Sequence, residues 1–452
     1  MAITGAQASP LASPLLHGKH EQQQNLQDSN EAVLHDMEDP QLLPVCSTGG
    51  ASFYTAGASS SFWRSCLNLS NVISGIGMLS VPYALAQGGW LSLVLFALVG
   101  AVCFYTGRLI DRCMRAEESV RSYPDIGHLA FGAHGRTVIG AVMYVELYLV
   151  AISFLVLEGD NLDKLLPGTV VDLLGYRVHG KQLFVLVAAA FILPTTWLKN
   201  LSMLAYVSAV GLVASVALTA SLVWAGVAEK GFHVRGGNLL NLSGLPTALS
   251  LYFVCFAGHG VFPTVYSSMR TKRDFPKVLL ISSLLCSLNY ALTAVLGYLI
   301  YGDDVQAQVT LNLPTGKLYT KIAVLTTLIT PLAKYALVIQ PVTTAIEEKL
   351  SGATTAPENK ELARALTSTA VVVSTVVLAC TVPFFGYLMS FIGSSLNVTV
   401  AVLFPCLSYL KIYMTRGVHR FEVAAIVGIL VIGVCVAIVG TYTSLHQIIG
   451  TF

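Results

Sequence analysis

Long apolar stretches recur along this chain, and they constrain its fold more than any other feature of the sequence. The hydrocarbon core of a bilayer is about 30 Å thick and takes roughly 20 apolar residues per helix. Only 11% of the residues are charged, against roughly 25% in soluble domains. We therefore predict an all-α integral membrane protein with about eleven spans, numbered one to eleven: 65–87, 90–114, 136–158, 181–198, 202–226, 244–268, 277–301, 318–347, 365–384, 386–413 and 421–446.

The positive charges predict which side of the membrane each connection faces. Cytosolic connections carry an excess of Lys and Arg. With the N-terminus inside, 18 of the 26 Lys and Arg lie in inside segments, 7 lie in outside segments and Lys334 lies within a span. We therefore expect a transmembrane domain at 62–446 and a short luminal C-terminus at 447–452. The connection at 116–135 is polar and then amphipathic, so we expect it to lie along the cytosolic surface.

The first 61 residues are rich in Gln, Ser, Pro and acidic residues and lack an apolar signal-peptide core. This composition predicts a disordered cytosolic tail. Within it, Glu38, Leu42 and Leu43 form an acidic dileucine pattern, which resembles sorting signals for vacuoles and lysosomes. The pattern predicts a sorting adaptor as partner and a vacuolar membrane, with the plasma membrane as the alternative.

Helix-breaking residues lie inside two spans, where broken backbone is most costly. Span one contains Ser74-Gly75-Ile76-Gly77 followed by a proline, and span six contains Gly258-His259-Gly260 followed by a proline. Unsatisfied backbone groups cost several kcal/mol each in hydrocarbon, so such backbone must face protein or line a wet cavity. The alternative is that the glycines only permit close helix packing.

The spacing of the two breaks favours an internal repeat. Five spans separate them, and because five is odd, the second set of helices enters the membrane from the opposite side. Inverted repeats of five helices with a binding site between broken helices are typical of secondary transporters. We assign repeat one to 65–226, repeat two to 244–413 and an extra helix to 421–446.

The breaks bring unpaired amides and carbonyls to one cavity, which suits an α-amino acid. Its carboxylate would bind the amides of Gly75, Ile76 and Gly77, and its ammonium would bind carbonyls near Phe256 to Gly258. These backbone groups would bind only the carboxylate and the ammonium that all amino acids share. We therefore expect a broad preference for neutral amino acids, with Phe256 helping to limit the size of the substrate side chain. The predicted substrate-binding residues are Ser74, Gly75, Ile76, Gly77, Phe256, Ala257, Gly258 and His259.

Four stretches carry a resemblance to a known family. These are "NVISGIGMLSVPYALAQGGW", "MYVELYLVAISFLVLEGDNL", "GHGVFPTVYSSM" with "FPKVLL", and "ITPLAKYAL". Together they resemble the amino acid/auxin permease family, and in particular its plant-type vacuolar amino acid transporters, over 62–445. The resemblance implies a leucine-transporter-like core and transport of amino acids, usually coupled to protons.

Three ionisable residues lie near the middle of spans, where charge is costly and function is the default expectation. Glu146 lies in span three, His259 in the break of span six and Lys334 in span eight. Burial disfavours their charged forms whereas mutual attraction of Glu146 and Lys334 favours both, so either could exchange a proton. By analogy, the Lys334 ammonium could replace the sodium of sodium-driven relatives. A static ion pair or carbonyl clamp is the alternative for Lys334, and a neutral hydrogen-bonded imidazole is the alternative for His259.

These features predict a secondary active transporter for amino acids that works by alternating access and is driven by a proton gradient, with no cofactor and no metal. Proton antiport would load a vacuole and symport would empty it, and both directions remain open. The competing interpretation is an amino acid sensor that binds without flux. A channel would need a continuous polar pore lining, which the spans lack. No nucleophile and base pair suggests an enzyme, and the basic cluster at 270–277 is cytosolic flanking charge rather than a nucleic acid site.

Overall fold

The computed structural model describes residues 60–117, 119–173, 176–197, 205–232, 238–351, 360–382, 384–414 and 417–451. The predicted tail lies outside these residues apart from its last two, and so does the dileucine pattern of Glu38, Leu42 and Leu43. The predicted eleven spans are confirmed. Ten helices of the described residues are long and apolar enough to cross a membrane, and a bent pair makes the eleventh span.

The first repeat contains spans one to five. Span one is the bent pair Phe62–Ile73 and Gly77–Gly88, and the others are Ser92–Ala116, Tyr123–Leu165, Gly180–Trp197 and Ala205–Ala225. Two short strands, Val170–Leu173 and Tyr176–His179, form an antiparallel pair between spans three and four. The sequence predicted no strands, because strands of four residues are much shorter than the apolar segments from which the spans were identified.

The second repeat contains spans six to ten, and span eleven follows it. Span six is broken into Leu245–Cys255 and Phe262–Ser268, with the short helix His259–Val261 between them. The later spans are Phe275–Tyr301, Leu318–Ser351, Lys360–Thr381, the segment Phe385–Tyr413 and Arg420–Ile449. Residues 447–449, predicted to belong to the luminal C-terminus, continue the helix of span eleven.

Span three differs most from its predicted bounds. The helical segment Tyr123–Leu165 consists of two helices that meet at a kink, and the first of them falls within the connection predicted at 116–135. Gly132 has φ 70° and interrupts the helix there. Ser122 and Asp125 form a capping box at its start, which satisfies amides that would otherwise lack acceptors. The sequence predicted a polar and amphipathic connection here, and the cap and the glycine bend explain why part of it forms a separate helix.

The two broken spans pack together at the centre of the bundle. The second half of span one contacts the first half of span six and span seven. Ser60, at the entry to span one, also pairs with the end of span six, donating to the Ser268 carbonyl at 2.8 Å and accepting from the Arg270 amide at 3.1 Å. Span eleven is peripheral, because only 17% of the residues in its most apolar part are buried in the protein. The fold therefore places both breaks in the protein interior.

Candidate functional site

The break in span one bends the helix by 53° and leaves polar backbone inside the bundle. The Gly75 amide donates to the Ile73 carbonyl at 2.7 Å and to the Tyr290 hydroxyl at 3.1 Å. That hydroxyl in turn donates to the Ile73 carbonyl at 2.7 Å. Among the described residues, no acceptor is in hydrogen-bonding position for the amides of Ile76 and Gly77. Of the three amides predicted to bind a carboxylate, these two are therefore open.

The break in span six offers the opposite polarity. Its first half-helix ends at Cys255, and Gly258 has φ 151°, a conformation that side-chain-bearing residues rarely adopt. Within the described part of the chain, no donor reaches the carbonyls of Phe256 and Ala257. Acceptors at the end of one half-helix thus lie in the same region as the open amides of span one.

Glycine allows the two breaks to touch. A Cβ atom at Gly77 would lie 3.1 Å from the Cα of Cys255, and one at Gly258 would lie 3.2 Å from a methyl of Val72. The Cys255 thiol also lies 3.6 Å from the Gly77 carbonyl. The glycines therefore serve close packing as well as the break, so the two interpretations weighed from the sequence are not exclusive.

A cavity of ≈ 190 Å³ lies at this junction. Its wall combines both breaks with spans three, eight and ten, and it is largely apolar. The polar side chains on the wall are those of Asn71, Glu146, Lys334 and Asn397. The apolar side chains include Val150, Phe154, Val254, Val261, Leu337, Val338, Met389 and Ile392.

The predicted substrate-binding residues divide into two groups. Gly75, Ile76, Gly77, Ala257 and Gly258 line the cavity. The described residues on its wall do not include the other three, Ser74, Phe256 and His259. Substrate binding by either group stays a prediction.

The side chains of Ser74 and Phe256 contact neighbouring spans rather than the cavity. The Ser74 hydroxyl donates to Ser215 in span five at 3.1 Å. Phe256 is 4% exposed and packs its ring against Phe96 and Tyr290, at centroid distances of 5.1 and 6.4 Å. Both side chains thus help to fix the backbone that faces the cavity.

His259 is 1% exposed and is held by span two. Its Nε2 lies 3.1 Å from the Thr106 hydroxyl and 3.0 Å from the Cys103 carbonyl. Its ring packs on Phe262 at a centroid distance of 4.7 Å. This is the hydrogen-bonded arrangement weighed as the alternative from the sequence, and a role in substrate or proton contact stays a prediction.

Glu146 and Lys334 both line the cavity from opposite repeats. The Lys334 ammonium donates to the Asn71 carbonyl near the end of the first half-helix, at 3.2 Å. Among the described residues, Glu146 makes no hydrogen bond and no ion pair, so the two side chains do not form a salt bridge here. Two ionisable groups thus share one apolar cavity without neutralising each other directly.

A buried polar network behind the break was not predicted from the sequence. The Asn289 amide of span seven donates to Ser215 at 2.7 Å, and Thr219 donates to the Asn289 carbonyl oxygen at 3.0 Å. Tyr290, the next residue, bridges the break itself. The signal was the pair Asn289-Tyr290 inside a predominantly apolar span, where a polar side chain needs a partner.

Asn71 and Asn397 are further cavity residues that the predicted site omits. The side-chain oxygens of both are buried and have no hydrogen-bond partner among the described residues. Elsewhere in span ten, the Ser394 hydroxyl lies 3.4 Å from the Thr441 hydroxyl of span eleven. The cavity position of Asn397 followed only from the fold.

Three comparisons with known proteins bear on this geometry. A family model described as transmembrane amino acid transporter protein matches residues 58–446. The amino acid transporter AVT1I of Arabidopsis thaliana is 48% identical over 394 residues, which are 87% of this chain and 96% of the relative. Both lengths are thus almost fully aligned.

Two solved structures share the fold. MhsT in complex with L-phenylalanine has a TM-score of 0.54 at 11% identity, and the alignment covers 84% of this chain and 100% of the MhsT chain. A Na⁺-coupled sialic acid symporter in a substrate-bound outward-open state has a TM-score of 0.51 at 13% identity, and the alignment covers 84% of this chain and 89% of the symporter chain. The predicted leucine-transporter-like fold, with broken spans one and six, is confirmed.

Proposed function

This chain belongs to the transmembrane amino acid transporter family, the amino acid/auxin permeases, and on that premise we propose that it moves neutral amino acids across an internal membrane by alternating access, coupled to protons. It is a transporter by family, not an enzyme. The observation that carries the proposal is the cavity where both breaks meet, with Glu146 and Lys334 unpaired with each other on its wall.

An amino acid fits the polar groups of this cavity. The open amides of Ile76 and Gly77 lie at the start of a half-helix, where the helix dipole favours a carboxylate. The carbonyls of Phe256 and Ala257 lie at the end of another half-helix, where it favours an ammonium. The relative AVT1I is named an amino acid transporter, and MhsT binds L-phenylalanine in the same fold, which supports this assignment.

The apolar wall favours substrates with uncharged side chains. Val150, Phe154 and Met389 are among the residues around the backbone site. A charged substrate side chain buried against them would lose its hydration without a matched partner, which is costly. These residues, rather than Phe256, are therefore proposed to limit side-chain size.

Lys334 is proposed to couple protonation to movement of span one. As an ammonium it bonds the Asn71 carbonyl and holds the half-helix Phe62–Ile73 against span eight. A neutral amine would hold that carbonyl more weakly, because charge-assisted hydrogen bonds are about twice as strong as neutral ones. Loss of the proton would thus release the half-helix, and Glu146 in the same cavity is proposed as the group that accepts or returns it.

Uptake into proteoliposomes tests the proposal. A panel of labelled amino acids is offered under an imposed pH gradient of either sign, with and without a protonophore. We expect uptake of neutral amino acids that one sign of the gradient stimulates and the protonophore abolishes. Uptake that neither gradient affects would exclude proton coupling, and binding without any flux would favour a sensor.

The variants Lys334→Ala and Glu146→Gln test the coupling roles. We expect both to keep exchange of labelled for unlabelled substrate, which needs no net proton movement, and to lose stimulation by the gradient. Lys349→Ala, at an exposed position of the same span, is the matched control and should behave as the unaltered protein. If both cavity variants kept the normal pH dependence, Glu146 and Lys334 would have structural roles only.

A further inference from the structure

Glu158 is a buried carboxyl in span three that the cavity does not include. It is 1% exposed. Neither of its oxygens has a hydrogen-bond partner among the described residues, and no ion pair within that part of the chain involves it. A carboxylate buried in this way would be strongly destabilised, and such a group becomes neutral instead. In this conformation Glu158 is therefore best accommodated with its proton bound.

Glu158 lies beyond the cavity on the same helix. Glu146, Val150 and Phe154 line the cavity, and Glu158 follows Phe154 by one helical turn, close to the same helix face. At 1.5 Å per residue it is about 18 Å from Glu146 along the axis. Phe154, itself 4% exposed, thus lies between the cavity and Glu158.

Polar contacts close this end of the molecule around Glu158. On the next turn, Asn161 donates to the Gln308 side chain at 2.6 Å, and Gln308 donates to Asp160 at 2.7 Å. Asp160 pairs with Lys181 of span four at 2.8 Å. Lys164 donates to the Thr310 carbonyl at 2.7 Å. These bonds join spans three and four to the segment before span eight.

The charged and titratable neighbours define what Glu158 would meet on opening. On span three they are Asp160, Asp163 and Lys164, two acids and one base. Spans four and eight pack against span three. At this end span four contributes one base, span eight and the residue before it contribute two bases and a phenol, and spans nine and ten contribute a thiol and a phenol. These groups are Lys181, Lys317, Lys321, Tyr319, Cys380 and Tyr387.

We propose that Glu158 is a second proton-binding site, which holds its proton while this end of the transporter is closed and releases it when the end opens. The proposal rests on alternating access as proposed above. Opening requires the bonds between Asp160, Gln308 and Lys181 to separate, and it admits water to a carboxyl now 1% exposed. Hydration of the carboxyl then favours the carboxylate. Closure requires Glu158 to bind a proton again, because an ionised carboxylate would otherwise be buried without a partner.

Proton binding at Glu158 is measured by infrared spectroscopy of the purified full-length protein. We expect a band of a protonated carboxyl at neutral pH that is lost in Glu158→Gln. It should persist in Asp163→Asn, which removes a carboxylate five residues further along the same helix. Protonated-carboxyl absorption that is not reduced in Glu158→Gln relative to the unaltered protein would overturn the proposal. This readout does not depend on transport, so it separates failure of this proposal from failure of the proposed function.

Flux measurements test the coupling. Glu158→Gln mimics the protonated form, so we expect it to keep substrate exchange and to lose the dependence of net uptake on pH at this side of the membrane. An unchanged pH dependence would overturn the proposal. Failure of Glu158→Gln to fold would also overturn it, because a neutral group of the same shape should suit the closed conformation.

Discussion

At the scale of single residues, Tyr290 determines the shape of the break in span one. Its hydroxyl accepts from the Gly75 amide and donates to the Ile73 carbonyl, two groups that a continuous helix would have satisfied itself. The side chain is 1% exposed, so water does not substitute for it. A side chain from span seven therefore completes the backbone hydrogen bonding of span one.

Replacing Tyr290 by Phe should weaken substrate binding. The hydroxyl makes one hydrogen bond to the Gly75 amide and one to the Ile73 carbonyl, a hydrogen bond contributes about 0.5–1.5 kcal/mol net, and this backbone is part of the break that faces the cavity. We expect the affinity for a neutral amino acid to fall about tenfold, equivalent to about 1.4 kcal/mol. Scintillation proximity binding of labelled substrate measures this.

Tyr252→Phe is the matched control for this prediction. Tyr252 is also buried, and its hydroxyl lies 2.7 Å from Ser92 rather than at the break. The control should lose stability with little change in affinity. Equal loss of affinity in both variants would contradict a specific role for Tyr290.

At the scale of elements, span ten is not a uniform α-helix. Residues Ile392–Asn397 and Thr399–Leu403 form π-helical turns between Phe385–Phe391 and Phe404–Tyr413. Such turns are rare and frequently found at functional sites. Here they follow Met389 and include Ile392 and Asn397, which line the cavity. The π-helical turn at Ile392–Asn397 thus lies where span ten contacts the first half of span six.

Gly393 is the residue that lets these elements meet. A Cβ atom there would lie 1.9 Å from the Ser250 carbonyl oxygen of span six, and backbone on both sides leaves nothing flexible to yield. We expect Gly393→Ala to destabilise the protein by about 1–3 kcal/mol through overpacking. Thermal unfolding in detergent, followed by a dye that reacts with the buried cysteines, measures the loss.

Gly428→Ala provides the control at the same scale. Gly428 lies in span eleven, and a Cβ atom there would meet nothing within 4 Å. Alanine at a compatible helical position is neutral or slightly stabilising. A drop in melting temperature equal to that of Gly393→Ala would show that the effect is not specific to the contact between spans six and ten.

At the scale of the whole molecule, the sequence predicts the membrane to which the protein is delivered. The dileucine pattern predicts delivery to the vacuole, and it lies outside the described residues. Replacing Leu42 and Leu43 by Ala removes the apolar pair while leaving the transmembrane domain intact. We expect a fluorescent fusion to move from the vacuolar membrane to the plasma membrane, without loss of transport in proteoliposomes.

The control for this prediction replaces Leu15 and Leu16, another pair in the tail without an acidic residue upstream. That variant should keep the location of the unaltered protein. Vacuolar delivery after loss of Leu42 and Leu43 would contradict a sorting role for the pattern.

The sequence by itself determined the spans, the breaks and most of the residues whose backbone faces the cavity. Hydrophobic length is imposed by the bilayer and is local in the chain, so ten of the eleven spans were found within a few residues. The short helix before span three was not predicted, because its cap and the glycine bend lie outside the apolar pattern. The breaks were visible because glycine and proline act on their own backbone.

Only the tertiary structure decided which side chains meet. Ser74, Phe256 and His259 lie beside the breaks in sequence, yet their side chains support the site from behind. Tyr290, Asn397 and Glu158 gain their positions from helices far away in the chain. The physical reason is that burial and hydrogen bonding are properties of neighbours in space. A sequence shows which groups are costly to bury, and the fold alone shows which of them are left without a partner.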